Sequence, residues 1–141
     1  MFNIDKNIDN ARTLPSDFYN NERIFEQSKN IFEQSTQIIC SMTNLEDLSI
    51  YPFIYFPEFL DENLIITSDN KTITCMPNVC THRGHLLASC ANKDRFLQCR
   101  YHGRSFFLSG NLKNAPGFKN VPDFPSKDDH LENISTFTWN N

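Results

Sequence analysis

Four residues of this chain have the type and the spacing to hold a metal centre: Cys80 and His82, then sixteen residues, then Cys99 and His102. Cys80-Thr81-His82-Arg83-Gly84-His85 reads C-x-H, and Cys99-Arg100-Tyr101-His102-Gly103 reads C-x-x-H. Soft thiolates suit iron–sulfur clusters, and a two-iron cluster can exchange two thiolates for imidazoles on one of its irons. The pattern therefore predicts a [2Fe–2S] centre with Cys80 and Cys99 on one iron and His82 and His102 on the other. Charge shows why such mixing matters. Two ferric ions, two sulfides, two thiolates and two neutral imidazoles sum to zero, whereas four thiolates leave the oxidised centre at −2. An electron enters the less negative centre more readily, which lifts the potential from roughly −400 mV to a window of about −150 to +300 mV. Gly84 and Gly103 follow the two pairs, where a tight turn beside inorganic sulfide favours a residue without Cβ.

Structural zinc held by two cysteines and two histidines is the competing centre. Zinc sites usually open with C-x2-4-C and close with two histidines, not with cysteine and histidine paired twice. His85 rivals His82 as a donor, but the one-residue spacing favours His82, and His85 is expected beside the centre or at the surface. Cys40, Cys75 and Cys90 have no motif partners and are expected to be buried free thiols. His130, among Asp128, Asp129 and Glu132, is expected to be a solvated loop histidine.

The remainder of the chain must position these loops. With 141 residues, 39% hydrophobic and 13 phenylalanines, it can build one core but not two. The greasiest stretch, Leu48 to Leu60, is broken by Pro52, Pro57 and Glu58, so no membrane span is expected. The polar, acidic start has no apolar h-region, and the chain is expected to lack a secretory signal and to be soluble and cytoplasmic. Five cysteines in a reducing compartment then point to metal rather than disulfides.

The net charge of −4 speaks against nucleic acid as a partner. Residues 83–113 nevertheless carry +5, between −7 over residues 1–82 and −2 over 114–141. Arg83, Lys93, Arg95, Arg100 and Arg104 are candidates to favour the reduced centre and steer an acidic donor; the plainer alternative is a solvated basic face.

Residues 1–20 read as an irregular arm. From about Asn21 to Ile38, Ile24, Phe25, Ile31 and Phe32 recur at heptad spacing, which predicts an amphipathic helix. After Cys40 the texture is β. Ile50 to Phe56 is one expected strand, and Leu64–Thr67 and Thr72–Met76 form an expected hairpin about Ser68-Asp69-Asn70-Lys71. Arg95–Arg100, Ser105–Leu108 and Ile134–Trp139 are further expected strands, with a turn at Ser109-Gly110-Asn111 and a long surface loop over 114–130.

Taken together, Asn78-Val79-Cys80-Thr81-His82-Arg83-Gly84 and Cys99-Arg100-Tyr101-His102-Gly103 resemble the two cluster loops of the N-terminal Rieske domain of the ring-hydroxylating oxygenase alpha-subunit family, which includes choline-monooxygenase-like enzymes. Leu14-Pro15 with Phe18-Tyr19 is similar to that family's leading arm, and Phe106 to Leu112 and the loop around Pro116 and Phe118 also fit. Two positions depart from the family's pattern: Arg104 stands where Trp is common after the second His-Gly, and Thr36 where the leading helix commonly ends near Trp. Respiratory Rieske proteins carry an extra cysteine in each loop. The matching positions here look like His85 and Tyr101, so no loop disulfide can form.

The resemblance implies an all-β Rieske fold of small antiparallel sheets with two cluster-binding loops (41–141), preceded by an N-terminal arm and one helix (1–40). It implies one-electron transfer from a reductase or ferredoxin donor to a mononuclear iron in an oxygenase domain. Such an iron needs two histidines and a carboxylate, and only His85 and His130 remain. The chain is therefore expected to relay electrons without hydroxylating anything, as the Rieske portion of an oxygenase lacking its catalytic domain. A freestanding Rieske-type ferredoxin is the alternative.

Overall fold

The structure is a computed structural model, and it describes residues 4–69 and 72–139. The chain divides into two units, Met1–Ile39 and Cys40–Asn141. In the first, Pro15 precedes a short helix, α1 (Ser16–Asn20), within the stretch expected to be irregular. Proline there is compatible with a helix start, because its missing N–H has no intrahelical role at that end. Asn21 then caps α2 (Glu22–Gln34), its side-chain carbonyl accepting the N–H of Ile24 at 3.3 Å. The leading unit thus has two helices where one was expected.

The second unit holds two three-stranded antiparallel sheets. β1 (Ile50–Tyr55), β2 (Glu62–Ser68) and β3 (Ile73–Pro77) lie in sequence order, with Ile65 opposite Met76 and Ile66 opposite Cys75. Pro52 is tolerated because β1 is an edge strand. Of the expected hairpin turn, Asn70 and Lys71 lie outside the described residues. The second sheet orders β4 (Leu97–Gln98), β5 (Ser105–Phe106) and β6 (Leu112–Asn114), with a register irregularity between Ser105 and Phe106.

Alternation along β2 sorts the apolar residues onto two faces. Ile65 and Met76 join Ile50, Leu87, Leu97, Phe106 and Leu131 in the main core, and this cluster includes Cys80 and Cys99. Ile66 and Cys75 pack instead with Leu45 in a smaller cluster. The main core spans both sheets, and its cysteines anchor the two loops of interest. Buried Thr67 adds a polar tie, its hydroxyl donating to the carbonyl of Leu108.

Two expectations about the β segments fail, and Ser105–Leu108 is shortened to β5. Ile134–Trp139 forms no strand; the N–H of Ile134 donates to the carbonyl of Cys75 at 2.8 Å, and the pairing stops at that bridge. Phe137 and Trp139 are exposed, so the alternation there has no buried face to fill. Arg95–Arg100 yields only Leu97–Gln98, because Cys99 already leaves the ladder to begin a loop.

The thiols outside the motif also differ from one another. Cys75 is buried and burial pushes it up to about 11; Cys40 is half-buried and is raised for the same reason; Cys90 is exposed, contrary to the expected burial. An alkylating reagent at pH 8 is expected to label Cys90 well before Cys75 in the native protein, as read by peptide mass mapping. Equal labelling of the two would show that the β2–β3 core does not shield Cys75.

Candidate metal centre

The two motif loops share one backbone pattern. Val79 bridges Leu86, and Gln98 pairs with Ser105. One residue further in, the N–H of Cys80 donates to the carbonyl of His85 at 2.8 Å, and that of Cys99 to the carbonyl of Arg104 at 2.8 Å. The carbonyls of the same cysteines accept from Gly84 at 2.9 Å and Gly103 at 3.0 Å. Each cysteine is thereby fixed through its own main chain in both directions. The glycines close the turns at φ +63° and +77°, in the left-handed region that a Cβ penalises.

Within this shared frame, His82 corresponds to Tyr101 and His102 to Arg83. The histidines thus come from different positions in their loops, which is the structural content of C-x-H against C-x-x-H. Their rings still meet, with centroids 4.8 Å apart at 66°. Cys80 and Cys99 also meet at the margin of the main core. Burial pushes the Cys80 thiol up, the backbone at His82 draws it back, and the adjacent Cys99 thiol raises it again. Donors are therefore sorted like with like, thiol beside thiol and imidazole beside imidazole.

The chemistry of the set fits a two-iron cluster. Cys80 and Cys99 are 2% exposed, which excludes water from a thiolate pair. His82 Nδ1 is buried and has no hydrogen-bond partner, the condition of a nitrogen whose lone pair is reserved for a group the protein does not supply. His102 is exposed and its ring lies tilted by 33° against Tyr101, with centroids 3.8 Å apart, so the imidazole side faces outward.

Asn78, unremarked in the sequence beyond its place in the motif, is a main support of the first loop. It is 2% exposed and fully engaged: its amide donates to the carbonyl of Ala88 at 2.8 Å and its side-chain oxygen accepts Ala88 N–H at 3.0 Å. Its carbonyl takes the N–H of Leu87, and its own N–H reaches the carbonyl of Asn63. This pins the base of the 78–88 loop to β2.

Arg104 is the larger surprise. It is 5% exposed and so cannot belong to a solvated basic face. Its Nη1 donates to Thr81 Oγ1 and to Asp129 Oδ1, both at 3.1 Å, while Thr81 Oγ1 donates to the carbonyl of Asp129 at 3.0 Å. Phe118 and Phe124 lie 5.3 and 5.5 Å from the guanidinium carbon. One side chain of the second loop thus ties down the first loop and the segment 118–129.

The remaining histidines are engaged elsewhere through their rings. His85 is exposed and lies 5.7 Å from the Tyr101 ring. His130 is not a free loop histidine; its Nδ1 accepts the N–H of Leu112 at 2.8 Å and so holds β6. Among the described residues, no three His, Cys, Asp or Glu side chains converge as ligands of one ion.

Paired thiols and paired imidazoles on two hairpin loops between antiparallel sheets define an iron–sulfur domain. A family model described as the Rieske [2Fe–2S] domain matches residues 35–125, and the chain belongs to that family, whose fold binds a [2Fe–2S] cluster. The carnitine monooxygenase oxygenase subunit of Escherichia coli (strain K12) is 32% identical over 123 residues, covering 85% of this chain and 32% of the relative. The chloroplastic choline monooxygenase of Spinacia oleracea is 26% identical over 134 residues, covering 93% and 30%. The crystal structure of the quaternary ammonium Rieske monooxygenase CntA with L-carnitine aligns at a TM-score of 0.76 and 26% identity, covering 89% of this chain and 36% of that one. The chain therefore spans about a third of the length of the curated relatives it matches.

The glycines give one test of this architecture. Gly84→Ala meets no atom within 4 Å and is expected to lose only the left-handed strain of about 1–2 kcal/mol. Gly103→Ala adds a contact with Pro116 Cγ at 3.2 Å and is expected to lose at least as much in denaturant unfolding. A second test concerns acid. The Ser126 backbone N–H, with the Ser126 hydroxyl and Arg104, holds the Asp129 carboxyl below its ordinary range against a smaller opposing effect of burial. The folded value lies below the unfolded one, so this stabilisation is complete above the ordinary carboxylate range and vanishes as pH falls through the folded value. Asp129→Asn is expected to be less stable than the parent at pH 7, with the gap closing under acid in unfolding titrations.

Proposed function

We propose that Cys80 and Cys99 ligate one iron of the cluster, that His82 and His102 ligate the other, and that the domain relays single electrons. The observation that carries this reading is the like-with-like sorting of donors around a buried, unpartnered His82 Nδ1. The bound cluster supplies a one-electron couple; the chain's residues supply its shelter and its outlet. The buried cysteines and the loop hydrogen bonds hold the thiolate side rigid and dry, which limits rearrangement on electron transfer. Exposed His102, lying against Tyr101, offers the outward path.

The relatives named above are oxygenase subunits or monooxygenases, which supports a place in a Rieske oxygenase system. The donor is then a reductase or ferredoxin and the acceptor a mononuclear iron in an oxygenase domain. This chain's own remaining histidines do not supply that second iron: His130 is engaged at Leu112 and His85 lies against Tyr101. The working location that fits is the cytoplasm, and no helix among the described residues is long and apolar enough to cross a membrane.

Purified protein is expected to contain two irons and two acid-labile sulfides per chain. On reduction it should give the electron paramagnetic resonance signal of a mixed-ligand cluster, at a potential in the lower half of the window of about −150 to +300 mV. Cys99→Ser should abolish both the sulfide content and the signal. One zinc per chain without sulfide would overturn the assignment.

A further inference from the structure

The four proposed ligands leave a buried guanidinium unexplained. Arg104 sits two residues beyond His102, touches Thr81 between Cys80 and His82, and carries a permanent charge that no accessible pH removes. We propose that the Arg104–Asp129 pair is a built-in electrostatic control on the cluster's reduction potential. Arg104 raises the potential, and Asp129 sets how much of its charge the centre feels. This inference rests on the cluster assignment above.

Three observations carry it. The first is screening. The Arg104 side chain is 7% exposed and that of Asp129 19%, with Phe118 and Phe124 against the guanidinium, so little water or salt can reach the pair. Lys93, by contrast, is 69% exposed in its pairing with Asp47, and salt screens such a surface charge. The second is reach. Arg104 Nη1 donates to Thr81 Oγ1, between Cys80 and His82, and the Arg104 carbonyl takes the N–H of Cys99 at 2.8 Å. Arg104 therefore touches both loops of the proposed centre, the first through its charged head and the second through its main chain.

The third is incomplete neutralisation. Asp129 Oδ1 takes one Nη1 hydrogen bond, while its Oδ2 is committed to the N–H and hydroxyl of Ser126. Arg104 Nε, also buried, has no hydrogen-bond partner. The carboxylate thus takes a hydrogen bond from one guanidinium nitrogen and leaves the buried Nε unpaired.

The sign follows from the charge balance. Reduction adds one negative charge to a centre that is neutral when oxidised, and a fixed positive charge nearby stabilises the reduced form. Removing Arg104 should lower the potential. Removing the carboxylate should raise it, because the guanidinium then acts without its counter-charge. A purely structural tie predicts no such opposition, since either substitution would loosen the same contacts.

The test is the midpoint potential of cluster-loaded Arg104→Gln, Arg104→Lys and Asp129→Asn by spectroelectrochemistry at one pH, after iron and sulfide analysis of each. Arg104→Gln is expected to reduce the ratio of reduced to oxidised protein at fixed potential about tenfold, a downward shift of about 59 mV for one electron. Asp129→Asn should shift upward, and Arg104→Lys, which keeps the charge, should stay nearer the parent than Arg104→Gln. Shifts of the same sign in Arg104→Gln and Asp129→Asn, or none in either, would overturn the proposal. If Arg104→Gln fails to retain a cluster, the sign of the Asp129→Asn shift decides alone, upward in favour and otherwise against. Parent protein without iron and sulfide would instead remove the cluster assignment itself, a failure that the metal analysis separates from this one.

Discussion

Each motif cysteine is bonded through its own main chain in two directions, to a carbonyl five residues on and from a glycine N–H four residues on. That clamp turns two stretches of irregular chain into matched rigid turns. Everything else about the site depends on it. The thiols reach the core margin because the cysteines cannot swing away, and the histidines meet because each departs from a fixed turn at a different step. The positive φ of Gly84 and Gly103 is the local condition that lets the turns close.

The polar structure around the clamp is built to the same standard. Asn78 meets its neighbours through both ends of its side chain and both of its main-chain groups, and so holds the first loop to the sheet from which it springs. Arg104 does the corresponding work between loops, but with a charge rather than an amide. A buried charge is retained only where something offsets its desolvation. Here Asp129, Thr81 and two aromatic rings do so.

What could be read from the sequence was local. Cysteine and histidine at one- and two-residue spacings announce their chemistry without any fold, and β1, β2 and β3 were legible because each is long enough to show β-branched and aromatic character. The second sheet was less so: β4 and β5 are two residues each, too short for any period, and β6 was not anticipated. Arg104 looked like one more charge in a basic run because the carboxylate that draws it inward is 25 residues away. The terminal alternation at Ile134–Trp139 misled for the opposite reason: β3 offers a free edge, yet only Ile134 bridges it, and Phe137 and Trp139 bury no face.

The two loops do not belong to the same sheet. One springs from the end of β3, the other is the hairpin between β4 and β5. A cluster gripped by both, as proposed, acts as a cross-link between layers that otherwise share only their core and a few hydrogen bonds. Cofactor binding would then be linked to the stability of the folded chain. For such a protein, iron supply governs more than the active fraction. It would also bear on how long the folded chain withstands proteolysis.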